Sequence, residues 1–325
     1  MNHNSYRDPL DQESPLLFNG DEFISNINGA CYPIVNGIPR FILEPTLNYS
    51  DNFGKQWNQY RKLQLDSFTK KPLTEDRLQE CCPVSLDQLK GKRVLEVGSG
   101  AGRFTEVLLS YGAIVDSLDF SEAVEANMQN NDSDSLSLCQ ASVYNIPFKK
   151  QSYDFVICLG VLQHTPSPED SIDRLWEMVN PSGYIVIDHY RFKWKSLPPP
   201  LGGFGNIFRL IVLRLPSKWQ MKACDLTVRF YFPIHWLFRN SRFIQHILFR
   251  ISPVRFYYPW LGLETKEEYF WWAMLDTHDG STDTYHHRRS IKQIRKKISS
   301  LNPYSSFTDK GGNGVIAWAR KKKFL

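Results

Sequence analysis

A glycine-rich segment follows a short apolar stretch near the middle of the chain. It reads Glu96-Val97-Gly98-Ser99-Gly100-Ala101-Gly102, directly after Arg93-Val94-Leu95. Glycines at this spacing let the backbone turn sharply and pass close to a bound ligand. A dinucleotide-binding loop has a third glycine where this chain has Arg103, and no Lys-Ser or Lys-Thr pair follows, which excludes a P-loop. The segment therefore predicts a loop that holds some other small ligand through its main chain.

An acid ends the next apolar stretch, AIVDSLD at 113–119. Asp119, at the tip of a strand in a parallel sheet, could accept hydrogen bonds from both hydroxyls of a ribose. The alternative is a carboxylate that only caps the next helix. Ser121 is expected to N-cap that helix, with Glu122 and Glu125 in its first turns. The glycine loop and Asp119 together favour a nucleoside-containing ligand.

Alternating strands and helices must position these residues. Strands are predicted at 93–98, 113–119, 136–141, 153–160 and 183–190, with helices after the glycine loop and at 168–179. Strand–helix–strand units at this spacing make right-handed crossovers and a parallel sheet, which predicts a doubly wound fold of the α/β class. A basic helix begins at Ser290, and two further strands flank the turn at 311–314, giving the sheet an antiparallel edge.

Four stretches of the chain resemble the class I S-adenosylmethionine-dependent methyltransferases, and among them the type 11 group that includes the ubiquinone/menaquinone enzymes. They are VLEVGSGAGRFTEVL, SLDFSEA, IPF at 146–148, and YDFVICLGVLQHTP with VNPSGYIVI after it. The resemblance covers residues 88–190 well and the C-terminal helix and hairpin more loosely. It implies a mostly parallel seven-stranded sheet, a Rossmann-like methyltransferase core, with S-adenosyl-L-methionine as the cofactor.

The resemblance also assigns the cofactor contacts. Asp119 would bind the ribose, Leu159 and Gly160 would lie under the methionine portion, and Glu96 would order the loop or contact the methionine end indirectly. Ser142 stands where the family often has an aspartate that binds the adenine amino group, and its hydroxyl can accept the same hydrogen bond. The full set is Glu96, Gly98, Ser99, Gly100, Gly102, Asp119, Phe120, Ser142, Val143, Leu159 and Gly160.

The residues after the fourth and fifth strands bear on the methyl acceptor. LGVLQHTP is not the Asn/Asp-Pro-Pro-Tyr/Phe signature of enzymes that methylate exocyclic amines, and Cys158 lies inside a strand, which favours a buried thiol over a nucleophile. His164 is a candidate general base or a structural side chain, and Asp188 and His189 are candidate acceptor contacts at the carboxyl edge of the sheet. Residues 275–287, LDTHDGSTDTYHH, are expected to form a loop whose acids and imidazoles could bind a sugar.

Composition limits the class of protein. The 325 residues are 42% apolar, which is enough for a sizeable core, and no run of about 18 apolar residues predicts a spanning helix. The N-terminus lacks the apolar region of a secretion signal. Six cysteines without a CxxC pair argue against a disulfide framework, and the absence of metal-ligand spacing predicts no metal site. A cytoplasmic location, with some association with membranes, is the expectation.

Charge is distributed unevenly along the chain. Residues 191–325 carry 24 Lys plus Arg against 8 Asp plus Glu, whereas residues 1–190 have a net charge of −11. Between Trp194 and Trp260 the cations alternate with aromatic and aliphatic residues. Three interpretations stay open: a lid over a bulky substrate, docking on an anionic membrane, and RNA binding. The lid with membrane-proximal character is favoured, and nucleic acid is the least favoured partner because no RNA-binding module accompanies the segment.

These observations predict five parts. Residues 1–45 form a small β-rich extension that resembles the end of a Trm112-like module without its cysteine pairs, and 46–92 form a helical lid or a helical stripe packed on the core. Residues 93–190 are the cofactor-binding core, 191–265 a basic helical insertion, and 266–325 complete the core. The expected activity is O-methylation of a small molecule, a sugar or a lipid-linked glycan intermediate. RNA or quinone methylation, and a non-catalytic cofactor-binding scaffold, are the alternatives.

Overall fold

The computed structural model describes residues 5–42, 51–193, 197, 202–256 and 261–323. Seven strands form the central part of the sheet, in the order β7-β6-β5-β8-β9-β11-β10. The first five in the chain are parallel, and the last two are antiparallel to their neighbours. The strands are β5 Arg93–Val97, β6 Ile114–Asp119, β7 Leu136–Ala141, β8 Tyr153–Cys158, β9 Val179–Tyr190, β10 Ser305–Asp309 and β11 Gly314–Arg320. The predicted parallel sheet with an antiparallel edge is confirmed.

Four N-terminal strands extend this sheet to eleven strands: β1 Leu16–Phe18, β2 Glu22–Ser25, β3 Cys31–Val35 and β4 Ile38–Phe41. They form an antiparallel meander, in which Asn36 and Gly37 both have positive φ in the predicted hairpin turn. β4 then pairs in parallel with β7. The seven predicted strands are therefore present, and the sheet is wider than predicted because the N-terminal extension pairs with its β7 edge.

Helices cover both faces of the sheet, as a doubly wound fold requires. On one face, Ile172 and Leu175 pack with Ile294 and Ile298. On the other face, Leu78 packs with Phe104 and other apolar side chains. The helices concerned are α3 Leu73–Cys81, α4 Arg103–Ser110, α6 Pro168–Met178 and α11 Ile291–Ser300, and a short α5, Val124–Asn130, lies between β6 and β7. Ser290 caps α11 through the amide of Gln293, as its sequence position predicts.

Six further helices lie around the carboxyl ends of the strands: α1 Asp51–Gln59, α2 Asp66–Thr69, α7 Gly205–Val212, α8 Ser217–Leu237, α9 Arg242–Ile251 and α10 Lys266–Thr282. Helices α7 to α10 form the insertion between β9 and β10. Tyr60 and Leu63 share an apolar cluster with Val228, Phe232 and Trp272. The segment after α1 therefore packs on the insertion.

The expectation of a loop at residues 275–287 is wrong for its first half. Residues 275–282 are the last two turns of α10, a helix that starts with a capping box formed by Thr265 and Glu268. Met274, Leu275 and His278 are buried, so packing within the insertion outweighs the polar and glycine-containing local sequence.

Parts of the predicted segments lie outside the described residues: 43–50 before α1, and 194–196, 198–201 and 257–260 within the predicted basic insertion. In the part of the chain that is described, no helix is long and apolar enough to cross a membrane.

Candidate active site

The glycine loop connects β5 to α4 in a conformation that needs glycine. Gly98, Gly100 and Gly102 have φ angles of 80°, 53° and 83°, in the left-handed region. A Cβ on Gly98 would lie 2.2 Å from a Val161 methyl carbon, and one on Gly102 would lie 2.1 Å from Asn127 Oδ1. A Cβ on Gly100 would lie 3.5 Å from the indole of Trp57. The outer two glycines therefore permit packing of the loop, and the middle one faces the site.

Asp119 lies beside this loop at the end of β6. Its Oδ2 accepts a hydrogen bond from Gly100 N at 2.8 Å, and its Oδ1 accepts from Ser121 N and Ser121 Oγ at 2.8 and 2.7 Å. Burial raises the pKa of Asp119, while these donors favour the anion. Ser121 does not N-cap the next helix as expected, because α5 begins at Val124 with Ala123 as its N-cap residue. The Ser121 hydroxyl donates to Asp119, and its oxygen accepts from Ala123 N at 3.2 Å.

Glu96 is buried behind the loop and does not line a cavity. Its Oε2 accepts hydrogen bonds from the hydroxyls of Thr105 on α4 and Ser117 on β6. Burial raises the pKa of Glu96 to about 7. Of the two roles expected for Glu96, its contacts fit the ordering of the loop, because they connect the strand before the loop to the helix after it.

The glycine loop and Asp119 border a cavity at the carboxyl ends of β5 and β6. Of the predicted cofactor contacts, eight line it and Glu96, Gly102 and Ser142 do not. The Ser142 hydroxyl accepts a hydrogen bond from Tyr144 N, so the neighbours Ala141 and Val143 form this part of the wall. The lining residues are Gly98, Ser99, Gly100, Asp119, Phe120, Val143, Leu159 and Gly160.

This lining fits an adenosyl cofactor with a ribose and a polar amino-acid end. Asp119 supplies a carboxylate for hydroxyl groups, and Phe120, Val143 and Leu159 supply apolar walls. The Ser99 hydroxyl is buried and has no hydrogen-bond partner among the described residues. A buried, unsatisfied hydroxyl is unfavourable, so a bound ligand with polar groups would stabilise this position.

His164 lines the same cavity, in a single helical turn after β8. Its Nδ1 lies 3.3 Å from Asp283 Oδ2 and 3.2 Å from the Tyr285 carbonyl oxygen. Its Nε2 is buried and has no partner in the described part of the chain. Burial alone would lower the pKa of His164, but the hydrogen bond to Asp283 and the nearby carboxylates raise it overall. This is the arrangement of a histidine base held by an acid.

Asp283 is fully buried and serves three partners. Its Oδ1 accepts from Arg209 Nε at 2.7 Å, and its Oδ2 faces His164 and accepts from His286 Nδ1. Burial would raise the pKa of Asp283, but the two histidines hold it well below its usual range. Asp283 therefore remains a carboxylate that connects the insertion, through Arg209 on α7, to His164 in the core.

Asp188 and His189 lie behind the wall of the site, and neither side chain lines either cavity. Asp188 is fully buried, pairs with Arg77 and accepts hydrogen bonds from the amides of Gly160 and Asn313 at 2.6 and 3.2 Å. Burial lowers the pKa of His189 to about 4. The structure does not bring these candidate acceptor contacts to the cavity. Asp188 is covered by α3 and the β10–β11 turn, and His189, the next residue of β9, points to the opposite face of the sheet.

A second cavity of about 580 Å³ adjoins the first. The two share five lining residues: Trp57, Gln64, Arg103, Gly160 and Asp279. Its other walls come from α3, β9, the insertion and the β10–β11 turn. Sequence reasoning missed Asp279 and Arg103 as site residues, although the acid-rich segment 275–287 and the cation in the glycine loop were both visible.

No group of three or more His, Cys, Asp or Glu side chains within the described ranges is placed to hold a metal ion. Burial raises the pKa of the Cys158 thiol well above its usual value, in keeping with a core residue.

Comparisons with known proteins agree with this geometry. Residues 95–187 match the family model described as a methyltransferase domain. The chain is 28% identical over 127 residues to the ubiquinone biosynthesis O-methyltransferase of Coxiella burnetii, covering 38% of this chain and 54% of the relative. The mitochondrial ubiquinone biosynthesis O-methyltransferase of Dictyostelium discoideum is 27% identical over 196 residues, covering 50% and 61%. The chain thus spans about half the length of the Coxiella relative.

Solved methyltransferase structures also match the chain, at low identity. Human N-acetylserotonin methyltransferase, in complex with its cofactor, has a TM-score of 0.45 and 12% identity, covering 85% of this chain and 58% of the human one. A methyltransferase from Aquifex aeolicus has a TM-score of 0.42 and 14% identity, covering 82% and 96%. With the matched segment, the glycine loop and Asp119, the resemblance is confirmed: the chain contains a class I methyltransferase domain of the type 11 family, whose cofactor is S-adenosyl-L-methionine.

Proposed function

We propose that the protein transfers a methyl group from S-adenosyl-L-methionine to a hydroxyl oxygen of a small molecule, with a sugar or a lipid-linked glycan intermediate as the acceptor. One observation carries the choice of oxygen. His164 lines the cofactor cavity, and its buried Nε2 has no hydrogen-bond partner among the described residues, while Asp283 lies beside the other ring nitrogen. A hydroxyl acceptor needs a base to remove its proton, whereas carbon and nitrogen acceptors need less help.

Each part of the site has a role in this reaction. The loop main chain and Asp119 would hold the cofactor, which supplies a methyl group on a sulfonium. His164 Nε2 would take the proton of the acceptor hydroxyl as the oxygen–carbon bond forms, and the Asp283 carboxylate would stabilise the resulting imidazolium. Trp57 and Phe53, which also line the cofactor cavity, would exclude water from it.

The names of the relatives support oxygen as the acceptor atom, since both are called O-methyltransferases. They also favour a second candidate, a quinone-type acceptor, because both are named for ubiquinone biosynthesis. The second cavity favours a more polar molecule than that, because eight charged and four amide side chains line it.

We also propose that the insertion docks on an anionic membrane surface. On α9, Phe243, Ile247 and Ile251 are exposed at a spacing of four residues and so share one face. On α8, Leu226, Phe230 and Leu237 are each at least 66% exposed. Cations lie on the same helices, at Lys218, Lys222, Arg239 next to α8, Arg242 and Arg250. Exposed apolar side chains together with cations are the features of interfacial helices.

Calorimetric titration with S-adenosylmethionine and S-adenosylhomocysteine tests the cofactor half of the proposal. We expect micromolar binding of both. A screen for transfer of labelled methyl would follow, with nucleotide sugars, polyprenyl-linked glycans and a polyprenyl catechol as acceptors. A labelled catechol with unlabelled sugars would favour the quinone candidate, and no binding of either cofactor form by folded protein would favour the scaffold alternative.

A further inference from the structure

The second cavity is lined by an excess of cations. Six basic side chains face two acids, Asp276 and Asp279. Asp188 pairs with one of the six, Arg77, from behind the wall. With this pair counted, cations still exceed acids by three. The six are Arg77, Arg103, Arg191, Lys193, Arg255 and Arg288.

Arg103 stands where the two cavities meet. It is the first residue of α4, directly after the glycine loop, and it lines both cavities. Its guanidinium lies over the Phe104 ring at 4.6 Å, and its Nη1 donates to Gln64 Oε1 at 2.6 Å. These contacts fix its orientation with neutral groups only. Burial, and then the nearby Arg77, lower the pKa of Arg103 to about 9.

The cations also crowd one another on the opposite side. Burial and the neighbouring Arg255 lower the pKa of Arg288. Burial, and then Asp279, raise the pKa of Asp276 to about 7, which reduces the negative charge available near neutral pH. A bound anion would relieve the repulsion between these groups, since guanidinium groups pair well with phosphate oxygens.

Gly280 makes room for one of these cations. It lies inside α10, where glycine is unfavourable, but a Cβ there would be 2.2 Å from Arg255 Nε and 2.4 Å from Arg255 Cζ. The Arg255 guanidinium therefore packs against α10 at Gly280, and its Nη2 donates to the Gly280 carbonyl oxygen at 3.4 Å. Any larger residue at 280 would displace the Arg255 guanidinium without removing its charge.

We propose that the second cavity binds the methyl acceptor through a diphosphate group. This inference rests on the proposed function, and it specifies the substrate class of the same site. A diphosphate diester carries two negative charges on several oxygens, which suits a wall on which basic side chains outnumber acids, whereas a single carboxylate offers one charge and two oxygens. Because Gly160 and Asp279 border both cavities, an acceptor held here reaches the cofactor cavity with its other end.

The test is calorimetric titration of the full chain, in buffer without divalent cations, with pyrophosphate, UDP-glucose, farnesyl diphosphate and malonate. We expect pyrophosphate to bind at least tenfold more tightly than malonate, with an affinity that falls as salt is added. Tighter binding of UDP-glucose than of farnesyl diphosphate would identify a nucleotide-linked acceptor, and the reverse order a lipid-linked one.

Variants connect this binding to the cavity. Arg255→Gln, Arg288→Gln and Gly280→Ala should each weaken pyrophosphate binding at least tenfold. Gly280→Ala is the informative one, because it keeps every charge and moves only Arg255. Lys296→Gln, on the exposed side of α11, removes the same charge far from the cavity and should leave the affinity unchanged. Circular dichroism and S-adenosylmethionine titration of each variant show that it is folded.

The outcomes separate the two proposals. Wild-type protein that binds S-adenosylmethionine but not pyrophosphate, or binds malonate equally well, overturns the diphosphate inference alone. An equal loss with Lys296→Gln also overturns it, because the binding is then a property of net charge. Folded protein that binds pyrophosphate but not S-adenosylmethionine overturns the proposed methyl transfer.

Discussion

The two adjoining cavities are built from different parts of the polypeptide. Main-chain groups and apolar side chains form most of the cofactor cavity, and the polar elements assigned to the cofactor, the glycine loop and Asp119, come from adjacent strands within 24 residues of sequence. Charged side chains from α3, α4, the residues after β9 and the insertion line the second cavity. One site is thus defined by a short local motif and the other by remote segments. The cofactor can therefore be predicted from the sequence, whereas the acceptor depends on side chains that only the tertiary structure brings together.

The largest effect is expected from His164→Ala, in the cofactor cavity. Loss of the base should lower kcat for methyl transfer to a hydroxyl by about 1,000-fold, within the range for general-base catalysis, with KM changed only a few-fold. His246→Ala, an exposed histidine on α9, is the matched control and should leave kcat unchanged. A His164 variant with normal kcat would remove the base from the mechanism.

The pH dependence sharpens the same point. A base must be neutral to accept a proton, so kcat should rise with pH, with a midpoint above the ordinary histidine value of 6.5 because Asp283 raises the pKa of His164. Asp283→Asn removes that attraction and should move the midpoint to lower pH. NMR titration of the His164 ring measures the shift without an acceptor, and an unchanged midpoint would argue against the pairing.

On the cofactor side, Asp119→Ala should weaken S-adenosylmethionine binding at least 100-fold. Two hydrogen bonds from hydroxyls to a carboxylate are worth about 3 kcal/mol or more in a buried site. Calorimetry measures the loss. Asp119 lines the first cavity only, so pyrophosphate binding should be unchanged. An equal loss of pyrophosphate affinity would contradict the assignment of the two ligands to separate cavities.

Glu96→Gln tests the support beneath the glycine loop. The pKa of Glu96 is about 7 in the folded protein against an ordinary 4.5, so the folded state binds this proton more tightly. Wild type should therefore lose up to about 3 kcal/mol of stability as pH rises from 4 to 8, a loss absent from the variant. Denaturant unfolding at both pH values measures it. Glu122→Gln, at an exposed position, is the control and should lose as much stability as wild type between the two pH values. The prediction is wrong if Glu96→Gln also loses as much stability as wild type.

The smallest effect is expected at the insertion surface. Phe243 is exposed on the protein surface, so its ring is available to insert into the lipid. Phe243→Ser should reduce flotation with phosphatidylglycerol vesicles about fivefold, because one aromatic ring partly inserted at the interface contributes about 1 kcal/mol. Ile114→Ser, an exposed apolar residue on β6, should have no effect. Flotation that changes neither with added salt nor in Phe243→Ser would show that the exposed face does not contact the lipid.

The parts of the fold with local signals were predictable from the sequence. Apolar runs locate β5 to β9 within a few residues, and Asn36-Gly37 marks a hairpin turn because both residues adopt positive φ. The glycine loop and Asp119 identify the cofactor region for the same reason: their geometry depends on neighbours in sequence.

Features that depend on distant contacts were not predictable. Nothing in Ile38–Phe41 indicates that it pairs with β7, about 100 residues away. Asp283 and Arg209 are 74 positions apart in sequence and join only when α7 packs beside the end of α10. Polar residues at 275–282 suggested a loop because the burial that stabilises α10 comes from other helices.

Residues 95–187, which match the family model, do not form a complete folding unit by themselves. Residues 95–187 contain β7 and nearly all of β9, yet β7 pairs with β4 and β9 pairs with β11, and both partners lie outside that range. A fragment limited to the matched residues would leave β9 without its partner β11 and would uncover the end of β7, which favours edge-to-edge pairing with another copy. A fragment intended to fold should therefore include the N-terminal meander and the C-terminal hairpin, because sequence similarity covers a smaller unit than the sheet.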